Sequence, residues 1–188
     1  AMGHEVHLMA PQFVTPFRKG HKTDANDALA IAEAGQRPNM RFVPIKSLEQ
    51  QDIQSLHRVR EVCIRQRTQL INQTHGLLQE YGVASGRGQK SLRQSVWRAL
   101  EDADNELTVL MRELLTEQMI ELARLNGRID ALDKRVERMS RSVAACRALL
   151  ALEGVGPVGA TMLYSALGNG HAFSKGRQAS AYLGLTPR

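Results

Sequence analysis

The sequence has 188 residues, roughly one ordinary domain or one and a half, and 43% of them are hydrophobic, so the chain can bury a core and is not wholly disordered. No apolar run approaches the roughly 18 residues a membrane helix needs, nothing at the start reads as a secretory signal, and Cys63 and Cys146 form no disulfide or metal pattern; a membrane protein is excluded and a reducing cytoplasm is expected. Twenty-five Lys and Arg against nineteen Asp and Glu give +6 and a pI near 9.7, which suits a polyanionic partner, while 4% aromatic content argues against a β-sandwich and for a mainly helical fold.

Pro11, Pro16, Pro38 and Pro44 crowd the first 44 residues and no further proline occurs before Pro157. The first part reads as a short strand over Val6 to Met9, a helix from about Asp24 to Ala34 closed by Gly35 and Pro38, and a second strand over Arg41 to Ile45. This is a βαβ-like fragment whose abrupt opening at His4 predicts a truncated domain, spanning residues 1–46. From Ser47 to Tyr81 the apolar positions Leu56, Val59, Cys63, Leu70, Leu77 and Tyr81 follow three- and four-residue steps, with Gln66 and Thr74 as polar interruptions, and predict one amphipathic helix.

Gly82, Gly86 and Gly88 break that helix, and a loop is expected where Arg87, Lys90, Arg93 and Arg98 stand unopposed by any acid. A second long helix from about Asn105 carries Leu122, Leu125, Ile129, Leu132, Val136, Met139 and Val143 in a heptad seam. The two helices, within residues 47–145, make an antiparallel hairpin or a dimerising coiled coil. Residues 146–188 are glycine-rich, hold no acid after Glu153, and predict a separate small module whose end, Gly184 to Arg188, also looks cut.

Three patterns could carry chemistry. Asp24 and Asp27 lie three residues apart at a helix start, on one face, where two carboxylates make half of a site for a hard cation such as Mg²⁺. Thr23 or Asp24 could equally cap the helix, with an acid in the first turn answering the macrodipole. Second, Leu149 to Ala160 fits a helix-hairpin-helix: Gly154, Val155 and Gly156 form a turn with free amides, Pro157 opens the next helix, Gly159 keeps the backbone approachable and Ala160 permits close packing. Such a turn binds a nucleic-acid phosphate without reading sequence, or is a plain corner between two helices.

Third, Arg135, Arg138 and Arg141, with Lys134 and Arg147, form a basic stretch leading into that turn, opposed by Glu137. They are candidate phosphate contacts or a solvated helix face, and Lys175 and Arg177 add two further candidate cations downstream. The six histidines show no metal-ligand spacing and are assigned no role; the two cysteines sit in apolar helical contexts that suit a core. Ser174 and Ser180 have no base at a recognisable spacing.

Three blocks in order, GHEVHLMAPQFVTPFRKGHKTDANDALAIAEA, RPNMRFVPIKSLEQQDIQSLHRVRE and LLALEGVGPVGATMLYSALGNGHAFSKGRQASAYLGLTPR, closely resemble the insertion-sequence transposases of the family that includes the Piv invertase. The resemblance covers essentially the whole chain. It implies a RuvC-like DEDD domain joined by a long helical segment to a C-terminal transposase domain, and hence DNA strand exchange. It further implies a Mg²⁺-binding acidic site, oligomerisation through the coiled coil, a serine nucleophile and, in family members, a structured bridge RNA that chooses the DNA partners. Asp24 and Asp27 match the last two acids of the DEDD set. The first Asp and the Glu of that set would precede Ala1, and the family serine would follow the Gly-Leu-Thr-Pro-Arg block, so the fragment as given is expected not to recombine DNA. The rival expectation, from periodicity and charge alone, is a non-catalytic helical scaffold that binds nucleic acid or dimerises.

Overall fold

A computed structural model describes residues 3–40 and 42–185; Arg41, where the second predicted strand starts, and the last three residues of the terminal Gly-Leu-Thr-Pro-Arg block lie outside them. Among the described residues the fold is mainly helical, with one two-stranded sheet. The chain divides into two compact units, Ala1–Leu48 with Gly170–Arg188, and Glu49–Asn169.

In the first unit β1 (Leu8–Met9) is followed by α1 (Pro11–Val14), a 3-10 turn over Thr15–Phe17, α2 (Asp24–Gly35) and β2 (Phe42–Val43). The strands pair antiparallel, Leu8 opposite Val43 and Met9 opposite Phe42, rather than in the parallel sense of a βαβ unit. Pro11 and Pro44 follow the strands closely and cannot donate to a ladder, which keeps each to two residues. Thr23 is the α2 cap: its hydroxyl oxygen accepts from the Asn26 amide at 3.3 Å. The helix buries only Ala30 and Ala34 and leaves Leu29 69% exposed. Close to the chain end, α8 (Gly176–Tyr182) completes this unit, with the Phe173 and Tyr182 rings 5.3 Å apart.

The second unit is built on α3 (Leu48–Glu80) and α5 (Val109–Ser142). They run antiparallel and pack on each other within one chain: Arg60 pairs with Asp133, the Arg67 guanidinium donates to Asn126 at 3.4 Å, and Cys63 packs against Ile129 and Leu132. The heptad seam is therefore filled by the chain's own α3. Along α3 the buried stripe runs through Ile53, Cys63, Thr74 and Leu78 while Val59 faces solvent. Thr74, expected to interrupt the stripe, is fully buried because its hydroxyl donates to the Leu70 carbonyl at 2.8 Å.

A Schellman turn ends α3: the Val83 amide donates to Leu78 O and the Gly82 amide to Gln79 O, with Gly82 at φ +69°. The segment expected as a loop then forms α4 (Gln89–Glu101). Leu92, Val96 and Ala99, spaced four and three, supply an apolar stripe that packs with Leu78, Met111, Leu115 and Met119. Arg112 holds the α4–α5 corner, its guanidinium donating to the carbonyls of Leu100 and Asp102 at 2.8 Å and to Asn105 Oδ1 at 2.7 Å. Thr108 caps α5 by accepting from the Met111 amide. Finally α6 (Ala144–Leu150) and α7 (Pro157–Leu167) fold over one end of the α3–α5 pair. No described helix is long and apolar enough to cross a membrane.

Candidate functional site

The two predicted metal ligands both fall in the first turn of α2, where carboxylates are favoured by the helix dipole. Asp24 is exposed, and Asp27, less so, faces Arg18 with Nη1 3.7 Å from Oδ1. The same helix is tied down further along by Glu33, which accepts from Arg37 at 2.8 Å. Asp24 and Asp27 offer hard oxygen donors of the kind Mg²⁺ takes, but among the described residues no group of three or more His, Cys, Asp or Glu side chains is placed to hold an ion. The donor chemistry is of the kind the metal takes, and the structure brings no third such side chain to the pair among the described residues.

In the second unit, the Gly154–Gly156 turn joins α6 to α7. Gly154 takes φ +81°, a left-handed conformation, whereas Gly156 is extended at φ −88°, ψ 179° and serves as the α7 N-cap without a capping side chain. With Pro157 at the first helical position, the amides of Val158 and Gly159 lack intrahelical acceptors. A Cβ built at Gly154 or Gly156 meets nothing within 4 Å, so the turn is open to an approaching group. Ala160 is fully buried, its carbonyl accepting from Cys146 Sγ at 3.8 Å, so α6 and α7 pack closely as the small residue predicts.

This pair of helices is anchored to α3 through polar contacts. Tyr164 donates its hydroxyl to Glu49 at 2.6 Å, and Gln50 donates to the Tyr164 carbonyl at 3.1 Å. His57 Nε2 lies 2.9 Å from Thr161 Oγ1, and that hydroxyl donates in turn to Pro157 O at 2.7 Å. Because the Thr161 hydroxyl gives its own hydrogen to Pro157 O, it is left to accept from the His57 ring; desolvation, aided by the charge of Arg60, holds the His57 imidazole below its ordinary value of 6.5.

Basic residues toward the end of α5 line three open grooves, one of them formed by Lys134, Glu137, Arg138 and Arg141 of α5 itself. Arg135 and Arg138 line another, of about 380 Å³, with Asp52, Ile53 and Leu56 of α3. Lys134 lines the third, of about 480 Å³, with Pro157 and Val158 at the start of α7. That third groove also holds Arg60, Asp130, Asp133 and Glu137, so the mouth of the turn is of mixed charge. Arg141 is paired with Glu137. Lys175 and Arg177 are exposed at the start of α8, in the other compact unit.

Comparison with known proteins decides the family. A profile described as a transposase of the DEDD, IS110 type matches residues 1–83, and one for the transposase IS116/IS110/IS902 family matches residues 146–188. The chain belongs to the IS110 family of insertion-sequence transposases. It is 45% identical over its whole length to a probable family 20 transposase of Pseudomonas aeruginosa, covering 56% of that relative. It is 38% identical to the transposase for insertion sequence element IS1111A of Coxiella burnetii, covering 51% of it, and 34% identical to the transposase for IS1328 of Yersinia enterocolitica, covering 55%. The chain thus spans about half the length of the curated relatives it matches. No solved structure matches it.

Sequence reasoning missed the polar anchors of this IS110-family chain. His57, Gln50 and Glu49 sit in α3, more than 100 residues from Thr161 and Tyr164, and nothing local marks them as partners. Their signal would have been a cluster of polar residues at the start of an otherwise amphipathic helix.

Proposed function

We propose that this chain is the central part of a DNA transposase that moves an insertion sequence, with Asp24 and Asp27 as two of the carboxylates of its Mg²⁺ site. The observation that carries the reading is the pair of acids one helical turn apart at the start of α2, in a segment where the chain matches the DEDD transposase profile. When bound, Mg²⁺ would offset charge on a reacting phosphate. The chain's own carboxylates would hold and orient it, completed by donors from the longer protein, as the DEDD resemblance implies. Within the same reading, residues 1–46 are the remnant of the RuvC-like domain, 47–145 the helical connector and 146–188 the start of the transposase domain.

The open turn over Gly154, Val155 and Gly156, with Gly159 behind it, contacts DNA or RNA phosphate through the α7 amides. Arg135, Arg138, Arg141, Lys175 and Arg177 supply sequence-independent attraction. A structured RNA is the second nucleic-acid partner. Because the Leu125–Leu132 seam is buried within one chain, self-association would use outer positions such as Leu110 and Ile120, which are exposed. The 188-residue chain alone, with half a metal site, does not transpose.

In the full-length protein, Asp24→Asn and Asp27→Asn are expected to abolish Mn²⁺ binding and element excision while leaving the helical content unchanged; excision at the normal rate in both variants removes the assignment. The reading of the chain as a non-catalytic scaffold is favoured by the Arg18–Asp27 ion pair, and it is the one that such a result would leave standing.

A further inference from the structure

α4 turns Leu92, Val96 and Ala99 into the core and carries a different chemistry on its outer side. With 3.6 residues per turn, Lys90, Arg93 and Trp97 form one exposed stripe, Arg98 flanks it, and Arg87 stands just before the helix. Among the described residues none of Arg87, Lys90, Arg93 and Arg98 has an ion pair or a side-chain hydrogen bond, and Glu101 at the far end is the helix's one acid. Trp97 is 42% exposed among these cations. Packing does not require an indole there, since the core contacts of α4 are made by its opposite face.

Four unpaired cations along the helix side that carries a partly exposed indole combine electrostatic attraction for a phosphate backbone with an aromatic ring on which a base can stack. An anionic membrane is a poorer fit, because a surface-bound helix inserts its apolar face and the apolar face of α4 is buried in the bundle. We propose that the outer face of α4 is a docking surface for single-stranded DNA, with Trp97 stacked on an unpaired base and Arg87, Lys90, Arg93 and Arg98 on the flanking phosphates. The choice of DNA rests on the reading of the chain as part of a transposase.

Trp97 is the sole tryptophan of the chain, so its fluorescence reports this face and no other. Titrating the 188-residue chain with a short oligothymidylate is expected to quench that emission, and duplex DNA of equal length to quench it less. By anisotropy of the labelled oligothymidylate, Trp97→Ala should weaken binding by about ten-fold, with Trp97→Phe retaining most of the affinity. The double variant Lys90→Gln/Arg93→Gln should lower the salt slope by about 0.7 per lost contact, with circular dichroism unchanged. Stronger quenching by duplex, by oligouridylate or by anionic vesicles overturns the proposal. If anisotropy shows DNA binding that none of these variants alters, the α4 surface alone fails; if no DNA binds the chain under any condition, the nucleic-acid reading of the chain fails with it.

Discussion

Arg18 and Asp27 form an ion pair 3.7 Å long that reaches from the turn before α2 to its first turn, with both side chains about one third exposed. The guanidinium thus faces an oxygen of one of the two acids read as magnesium ligands, beyond hydrogen-bond distance. A cation that binds there must compete with Arg18 or share the carboxylate with it. In the full-length protein, Arg18→Gln is expected to tighten Mn²⁺ binding by about two- to five-fold, the worth of a partly exposed pair. Calorimetric titration checks this, and an unchanged affinity would mean that Asp27 is not a ligand.

The His57–Thr161 contact makes the second unit sensitive to acid. Burial and Arg60 lower the His57 pKa in the folded state, so below the ordinary 6.5 the unfolded chain binds a proton that the folded chain resists. Stability contributed by the neutral ring is present above that value and is lost as pH falls through the lowered folded one. The urea midpoint should therefore drop between about pH 7 and pH 5, and His57→Gln should flatten the dependence. Equal slopes in both proteins would show that other groups govern the acid response.

The two glycines of the α6–α7 turn should respond differently to substitution. Gly154 sits at φ +81°, where a side chain costs about 1–2 kcal/mol, so Gly154→Ala should lower stability by that amount. Gly156 is extended and a Cβ there meets nothing, so Gly156→Val should keep the helix content and lower stability by no more than about 1 kcal/mol, the loss of a favourable N-cap residue. An affinity loss of about two- to ten-fold for DNA or RNA in that variant would then report the close approach of a phosphate; full affinity would leave the turn with a packing role alone.

Arg112 organises the corner between α4 and α5 by donating to two carbonyls and an amide oxygen at 2.7–2.8 Å. A lysine cannot reproduce that planar fork. Arg112→Lys is expected to cost about 1–3 kcal/mol in urea unfolding followed by Trp97 emission. A loss below the error of the measurement would assign the corner to the Leu107 and Met111 contacts instead.

Leu132 tests where the heptad seam is used. Because it packs on Cys63 of the same chain, Leu132→Ala should destabilise the fold by about 2–5 kcal/mol without changing the sedimentation coefficient. A shift in oligomeric state at unchanged stability would contradict the intrachain packing.

Local properties were legible in the residues themselves. The 3.6-residue periodicity marked α3 and α5 within a few residues, Thr23 and Asp24 marked the start of α2, and the Gly-x-Gly-Pro pattern marked the turn before α7, because capping, φ freedom and amphipathicity are set by neighbours in the chain. The stripe of Leu92, Val96 and Ala99 is equally present in the sequence, but the three glycines before it and the four unopposed cations around it favour a loop. It becomes helix because Leu78, Met111 and Leu115 bury its apolar side, and that leaves its cations and Trp97 outward.

Only tertiary structure decided whether the heptad seam faces α3 or another molecule, since both give the same pattern of leucines. It also decided that Thr74 is buried, that the two strands run antiparallel, and that Asp27 meets Arg18 while His57 meets Thr161. Those are choices of partner across a fold, and they depend on which distant surfaces can pack and satisfy each other's hydrogen bonds, which spacing along a chain does not encode.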